Sequence, residues 1–260
     1  MTEDFKGKER HFERNTGVAI DGAPISYVVA LAAVGAVLAF IPFSMVIGAG
    51  KSFPLSQSIY PLVGWVLGPV AGALANGIGA AVGVILAPHT TTIPIISVLG
   101  SAAGGLTAGT MLNRDKRNWW WFPLALIYVL IFVYYVGRAV LLNGATWGAV
   151  LFGTLIDWSA LLLFISPLRG YFARLIGDEN PRRLAAGLFC GTWMVAGLDH
   201  LIGAAAVYYL VNWPNAAWLA FAPLAPLEHL LRSTIGAVIG TGVIVGLRAI
   251  GLLKPSHATY

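Results

Sequence analysis

Charged residues are scarce in this 260-residue sequence, and cysteine is almost absent. Asp, Glu, Lys and Arg make up 10% of the chain, whereas soluble domains carry about 25%. Hydrophobic residues make up 58%, so the composition excludes an ordinary soluble domain and indicates long apolar segments that cross a bilayer. The single cysteine, Cys190, lies in an apolar segment, and one cysteine cannot form an intramolecular disulfide framework.

Recognisable motifs of catalysis are also missing. The chain contains no phosphate-binding P-loop, no zinc-protease His-Glu-x-x-His motif and no Cys-x-x-Cys pair,. We therefore expect no enzyme and no cofactor, and active transport would require ATPases on partner chains. Asp199, His200, Glu228 and His229 could together hold a solute or ligate a transition metal, but no close ligand spacing supports a metal, so no metal site is expected. The net charge of +5 does not indicate nucleic-acid binding, because basic residues in membrane proteins orient the loops.

The apolar segments predict an all-α polytopic membrane protein with about eight transmembrane helices, in a range of six to eight. A single transmembrane domain covers residues 25–252, between a polar tail at 1–24 and a second tail at 253–260. Long polar or basic loops are expected at 49–58, 88–94, 167–183 and 212–223. The full-length helices are predicted over residues 24–48, 70–87, 95–112, 119–142, 146–166, 184–211 and 226–250.

The stretch from Tyr60 to Gly83 organises the chain. It is apolar and crowded with Gly and Ala, and small residues let helices pack closely in lipid. Within it, Gly68-Pro69 predicts a break, because proline is incompatible with the interior of a regular helix. A short helix therefore ends near Leu67, and the helix over 70–87 follows after a tight turn.

Basic residues predict the orientation of the chain. With the N-terminus inside, thirteen of the sixteen Lys and Arg residues fall in inside segments. Only Lys51, Arg138 and Arg232 are left for the outer half. This asymmetry predicts a multi-pass protein of the cell membrane with both termini cytoplasmic, and it places the loops 49–58, 88–94 and 212–223 outside.

Two glycine-rich segments carry a family resemblance. Residues 64–79 (GWVLGPVAGALANGIG) and 100–109 (GSAAGGLTAG) resemble the substrate-binding S components of energy-coupling factor (ECF) transporters. The resemblance is clearest over residues 25–113 and weaker over 184–250, and residues 119–168 look like an extra hairpin beside the family's six spans. It implies a subunit that takes up a vitamin or similar small organic micronutrient together with a transmembrane coupling subunit and ATPases.

The first helix and the outer loops supply the expected binding residues. In the family a small-residue stripe on helix 1 docks the coupling subunit; here the alternative is ordinary packing against neighbouring helices. The outer loops close over the solute, and their aromatics suit a flat, weakly charged molecule. The expected docking residues are Ala32, Gly35, Ala36 and Ala39, and the expected substrate-binding residues are Phe53, Gln57, Tyr60, His89, Thr90, Asn212, Trp213, Glu228 and His229.

Ionisable residues inside predicted spans are a further signal, since each costs at least about 2.5–3.5 kcal/mol at a helix centre. Glu228 and Arg232 are four residues apart, which predicts an ion pair at a helix start and also offers a purely structural explanation for both. Glu228 is expected near the surface, well above Asp199 and His200. Those two residues are then expected to bond other helices.

Two alternatives and one further pairing stay open. Asp199 and His200 are also the groups on which an intramembrane enzyme would be built, whereas a structural or assembly subunit would need only packing faces. In the hairpin, Asp157 is expected to meet Arg138, a group on another helix, or a water-filled pocket.

Overall fold

The structure is a computed structural model that describes residues 18–46, 51–91, 93–111 and 119–260. For residues 44–46 and 51–53 it describes the backbone alone. The predicted polar tail up to residue 17, the side chain of Phe53 and the basic turn at 113–118 therefore lie outside the description. The described parts are α-helical apart from two short antiparallel strand pairs, which confirms the all-α class.

The elements follow one another in a simple order. Two strand pairs flank the first helix: β1 pairs with β2, and β3 pairs with β4. Short 3-10 turns precede α2 and α4, at Leu55–Ser58 and Pro88–Thr90, and a π-helical turn, Arg138–Leu142, follows α5. The strands and helices are β1 (Ala19–Ile20), β2 (Ala23–Pro24), α1 (Ile25–Leu38), β3 (Pro42–Val46), β4 (Lys51–Pro54), α2 (Tyr60–Leu67), α3 (Pro69–Leu86), α4 (Pro94–Gly109), α5 (Trp121–Gly137), α6 (Trp147–Gly153), α7 (Leu155–Ile165), α8 (Leu168–Ile176), α9 (Pro181–Leu210) and α10 (Asn215–Ala249).

The predicted break at Gly68-Pro69 is confirmed. Gly68 has φ +87°, a backbone conformation that glycine adopts without strain. Pro69 is the first residue of α3, where its missing N–H leaves no bond unmade. The chain therefore passes from α2 to α3 through one residue.

Glycine contacts hold α2, α3 and α4 together. A Cβ atom on Gly72 would lie 2.7 Å from the Cα of Gly64, and one on Gly105 would lie 2.6 Å from the carbonyl oxygen of Gly72. Real side chains do not tolerate such distances, so glycine is required where these backbones touch. The prediction of a closely packed, glycine-lined core agrees with these contacts.

Helix α1 is shorter than predicted. It ends at Leu38, and β3 and β4 follow it, so the predicted helix over 24–48 is wrong over residues 39–46, and residues 47 and 48 lie outside the described part of the chain. Pro42 begins β3 and lacks the N–H that a helix would use.

The small-residue stripe of α1 faces inward. Ala32, Ala36 and Ala39 are at most 9% exposed, and Gly35 is buried. The stripe packs on α3: a Cβ on Gly79 would come 2.7 Å from the Ala32 carbonyl oxygen. The structure thus has the stripe packed inside the chain, and the docking of a partner on these residues stays a prediction.

Four described helices are long and apolar enough to cross a bilayer, and the count is five if α6 and α7 form one span bent by 66°. The helices α1 and α4 are apolar but shorter. These lengths support a multi-pass membrane protein. The number of eight spans and the cytoplasmic termini stay predictions. The four long segments are Pro69–Leu86, Trp121–Leu142, Pro181–Leu210 and Asn215–Ala249.

Two predicted loops are helical. The basic loop at 167–183 contains α8, whose apolar residues Phe172 and Ile176 are buried. The outer loop at 212–223 is mostly the beginning of α10, which starts at Asn215 and continues through Pro223 and Pro226. Proline is tolerated in membrane helices where neighbours satisfy the freed carbonyl groups.

A capped turn joins α8 to α9. The side chain of Asn180 accepts a hydrogen bond from the backbone N–H of Arg182, 2.9 Å long. Asp178 accepts bonds from the N–H of Asn180 at 2.8 Å and from Arg183 at 3.2 Å. The backbone bond and the guanidinium lower the pKa of the Asp178 carboxyl group.

The C-terminal segment packs against the same end of the bundle. The N–H of Thr259 donates to the Trp65 carbonyl oxygen at 2.7 Å. His257 lies against Gly68, where a Cβ would come within 2.6 Å of it, and Tyr260 is 6% exposed. The predicted tail at 253–260 is therefore docked on the turn between α2 and α3.

Candidate functional site

One face of α10 is buried and polar near the middle of the helix. His229, Arg232 and Ser233 are 1%, 2% and 0% exposed, and Gly236 continues the same face. The spacing of three and four residues places all of them on one side of the helix. A guanidinium this deep in an apolar bundle requires a charged partner.

Glu228 is that partner. The Nη2 of Arg232 donates to Glu228 Oε1 one turn earlier on α10, and the two side chains are 2% and 18% exposed. The predicted ion pair is confirmed. Arg232 also acts electrostatically on Asp199 of α9, so the guanidinium lies near two carboxyl groups.

A second polar pair joins α7 to α9. The Nδ1 of His200 and Oδ1 of Asp157 are 2.8 Å apart, and Asp157 is 0% exposed. The expected partner of Asp157 was Arg138, a group on another helix or a water-filled pocket, and the structure has a group on another helix, the His200 imidazole of α9. The other carboxyl oxygen of Asp157 is buried and has no hydrogen-bond partner in the described part of the chain.

The imidazole of His200 lies against that of His229, the residue that follows Glu228 on α10. The rings of His200 and His229 are 5.2 Å apart and perpendicular. The Nδ1–H of His229 donates to the Ala225 carbonyl oxygen at 2.9 Å, which keeps the ring on the helix. On the other side of α9, Asp199 lies so close to α4 that a Cβ on Gly100 would overlap its Oδ1.

The expected separation between Glu228 and the pair Asp199–His200 is wrong. Because α10 begins at Asn215 rather than near Pro226, Glu228 lies thirteen residues, or about 20 Å, along the helix from its start,. The contact of His229 with His200 then places the groups of α9 and α10 at one level. We call Asp157, Asp199, His200, Glu228, His229 and Arg232 the central polar cluster.

The 3-10 turn before α2 supplies further polar atoms. Ser56 Oγ and the Tyr60 hydroxyl are 3.0 Å apart, and Asn76 donates to the Tyr60 carbonyl oxygen at 2.9 Å. In contrast, Gln57 Oε1 and Ser58 Oγ are buried without a hydrogen-bond partner among the described residues. Two of the predicted binding residues therefore lie three positions apart, Gln57 on the 3-10 turn and Tyr60 at the first residue of α2.

This turn packs against α10. A Cβ on Gly236 would lie 2.8 Å from the Ser58 carbonyl oxygen and 2.9 Å from Thr192 Oγ1 of α9. One turn earlier, Ser233 Oγ is buried and has no partner in the described ranges. The turn, α9 and α10 therefore enclose polar atoms that are removed from water but not hydrogen-bonded.

Two other predicted binding residues lie on the second 3-10 turn. His89 is exposed, and Thr90 is buried with its hydroxyl donating to the Ala87 carbonyl oxygen at 2.8 Å. This turn contacts β4, the strand that contains Phe53. No hydrogen bond described for His89 or Thr90 connects them to the central polar cluster.

Asn212 and Trp213 belong to a different group at the ends of α5 and α9. Asn212 Oδ1 accepts hydrogen bonds from Asn143 at 2.9 Å and from Arg138 at 3.3 Å. Arg138 is therefore occupied here rather than by Asp157. The ring centre of Trp213 lies within 6.4 Å of the ring centres of four aromatic residues, which form an aromatic cluster with it: Tyr135, Tyr208, Trp218 and Phe221.

Sequence reasoning missed several residues of these sites. Ser58, Thr192 and Ser233 were not among the predicted binding residues, and neither was Trp218, which is fully buried. The spacing of His229, Ser233 and Gly236 on α10 was an available signal, because it puts polar and small residues on one helical face. Within the described residues, no three His, Cys, Asp or Glu side chains are placed to hold a metal ion.

Comparison with known proteins adds no relative: no family model, no curated protein and no solved structure matches this chain. The functional argument therefore depends on the residues and contacts described above.

Proposed function

We propose that this chain is a membrane-embedded, solute-binding subunit for uptake of a vitamin-like organic micronutrient, similar to the S components of ECF transporters. The observation that carries the proposal is the set of buried, unpartnered oxygens of Gln57, Ser58 and Ser233. Buried polar atoms are almost always hydrogen-bonded. A polar solute held between the 3-10 turn and α10 would supply the missing partners.

The adjoining charges favour a particular kind of solute. The central polar cluster holds three carboxyl groups, one guanidinium and two imidazoles. Carboxyl groups outnumber the permanent cation, so a solute with hydrogen-bond donors or a positive charge fits this cluster better than an anion. The sequence contains no recognisable nucleotide-binding loop, and uptake against a gradient would require a coupling subunit with ATPases.

The enzyme alternative has less support. A carboxylate–imidazole pair such as Asp157–His200 can activate a nucleophile. Among the described residues, however, no hydroxyl or thiol is hydrogen-bonded to the imidazole of His200 or of His229. A structural subunit would need only packed faces, and it offers no reason for unpartnered buried oxygens.

Alanine substitution of two residues tests the proposal. The solute that co-purifies with the protein is identified by mass spectrometry, and its affinity is measured by calorimetry. Gln57→Ala and Ser233→Ala are each expected to weaken binding at least tenfold, or about 1.4 kcal/mol. Thr234→Ala is the matched control, because Thr234 is exposed and donates to the Leu230 carbonyl oxygen.

Two results would contradict the proposal. One is equal affinity in all three variants, which would place the solute elsewhere or nowhere in the chain. The other is a chemical turnover that Asp157 or His200 substitutions abolish while Gln57→Ala and Ser233→Ala leave it unchanged, which would favour the intramembrane enzyme.

The predicted orientation has its own test in a Cys190→Ala background. A cysteine at Asn215 should react with an impermeant thiol reagent added outside intact cells, and a cysteine at Lys254 should not. Labelling in the reverse order would place the 3-10 turn before α2 on the cytoplasmic side.

A further inference from the structure

An apolar groove of about 610 Å³ lies between α4, α5 and α9. Its volume is within the range of roughly 300–1,000 Å³ that is usual for small-molecule sites. It is separate from the central polar cluster, since none of the cluster residues lines it. The lining includes Ile93, Ile96, Leu130, Tyr134, Ile202 and Tyr209.

The groove opens toward the lipid-facing surface. Leu130 and Tyr209, on its two sides, are 60% and 59% exposed. The lining residues of α5 and α9 come from the C-terminal parts of those helices, and those of α4 from its N-terminal part. The groove therefore lies at one end of the bundle, in one leaflet of the surrounding bilayer.

A cation, Arg138, lies beside this groove. Arg138 follows Tyr134 by one helical turn, so it continues the face of α5 that lines the groove. Its guanidinium is 5.0 Å from the ring centre of Tyr209 and donates to the Tyr209 carbonyl oxygen at 3.4 Å. Arg138 is thus fixed beside a residue that itself lines the groove.

Arg138 has no acidic partner among the described residues. Its side-chain bonds go to a backbone carbonyl oxygen and to the amide of Asn212, and its Nε is buried without an acceptor. Asn143, which also bonds Asn212, is neutral. A guanidinium whose described neighbours are neutral is suited to a phosphate oxygen.

We propose that this groove binds one anionic phospholipid, with an acyl chain along α5 and α9 and the phosphate on Arg138. The apolar walls would pack against the methylene groups of the chain; since the surrounding lipid is equally apolar, this packing positions the chain and the selectivity comes from Arg138. A choline or ethanolamine ammonium group would need a carboxylate near Arg138, and among the described residues no carboxylate contacts Arg138. An anionic headgroup is therefore preferred over a zwitterionic one.

Native mass spectrometry tests this proposal on the full chain. Protein is exchanged into micelles with equal amounts of phosphatidylglycerol and phosphatidylcholine, and retained lipid is counted. The wild type is expected to keep one phosphatidylglycerol. Arg138→Gln and Ala206→Phe, which fills the groove from α9, are each expected to reduce this retention at least fivefold.

Two control variants separate the site from general effects. Arg174→Gln removes an exposed arginine of α8, and Val238→Phe adds the same ring to an exposed position of α10; both should retain lipid as the wild type does. Ala206→Phe leaves the bonds of Arg138 unchanged, so the proposal stays testable even if Arg138→Gln does not fold.

Three outcomes would overturn the proposal. Equal retention of the two lipids by the wild type would remove the headgroup preference. Unchanged retention in Ala206→Phe, or an equal loss in Arg174→Gln, would show that the groove is not the site. Stabilisation of the wild type but not of Arg138→Gln by inorganic phosphate, without lipid retention, would assign Arg138 to a soluble phosphate.

Discussion

Replacing Gly79 with alanine tests the closest contact between α1 and α3. The added Cβ would lie 2.7 Å from the carbonyl oxygen of Ala32. That oxygen belongs to the backbone, so the two helices would have to separate. Overpacking of this kind costs about 1–3 kcal/mol, and the gain in helix propensity from glycine to alanine, about 1 kcal/mol, offsets part of it.

A matched control removes the propensity term. Gly77 lies two residues away on α3, and a Cβ there would be 3.5 Å from the Ala102 Cβ, an ordinary contact. Both substitutions gain the same propensity, so their difference in free energy of unfolding is the overpacking cost alone. At about 2–4 °C per kcal/mol for a chain of this size, the melting temperatures should differ by roughly 2–12 °C.

Tryptophan fluorescence during heating in one detergent, at one scan rate, measures the difference. A fixed rate is needed because membrane proteins often unfold irreversibly. Gly79→Ala should melt below Gly77→Ala, and the latter at or above the wild type. Equal melting of the two variants would refute the close approach of α1 and α3, and with it the packing of the small-residue stripe of α1 inside the chain.

Three further predictions concern stability. Asp157→Asn breaks the buried pair with His200 and should destabilise the protein by about 3 kcal/mol, measured by thermal unfolding; an unchanged melting temperature would contradict the pairing. Trp218→Ala should cost about 3–5 kcal/mol, whereas Trp119→Ala, at a 62% exposed position, should stay within about 0.5 kcal/mol, and similar losses would contradict the described burial. Because the pKa of Asp178 is lowered, its carboxylate stabilises the native chain above the ordinary carboxyl pKa of 3.8, and this stabilisation is lost as the pH falls below that value,. In unfolding scans between pH 3 and 6, Asp178→Asn should therefore lose less stability on acidification than the wild type. Identical pH profiles would contradict the assignment.

Local signals in the sequence were sufficient for the central part of the fold. Gly68-Pro69 predicted the break between α2 and α3 because both residues act on their own backbone. The ion pair of Glu228 with Arg232 was likewise predictable, since it depends only on helical spacing. Features that depend on a residue and its near neighbours were therefore recovered.

The N-terminal part of α10 was not predicted, because it depends on tertiary contacts. Pro223 and Pro226 indicated a helix start, yet the segment before them is helical and packs against α6, where a Cβ on Gly153 would lie 2.7 Å from the Trp218 carbonyl oxygen. Because the helix was predicted to start near Pro226, Glu228 was wrongly predicted to lie near the surface. In α8, the spacing of Leu168, Phe172 and Ile176 was an available helical signal that the basic residues concealed.

The candidate site was predicted in part. Gln57, Tyr60, Glu228 and His229 lie on the elements that enclose it. The pairing of Asp157 with His200 could not be predicted, since it joins residues 43 positions apart and depends on how α7 packs on α9. A single sequence contains no direct signal for that packing.

The two prolines inside α10 have a mechanical consequence. Each lacks an N–H, so the helix loses the bonds that would reach back to Leu219 and Ala222. These missing bonds lie between Trp218, in the aromatic cluster, and Glu228, in the central polar cluster. Bending there breaks fewer hydrogen bonds than bending elsewhere in the helix. Residues 215–222 are held instead by their packing, since Trp218 is fully buried in the aromatic cluster and against α6. The course of the first part of α10 therefore depends more on tertiary contacts than on the hydrogen bonds of the helix itself.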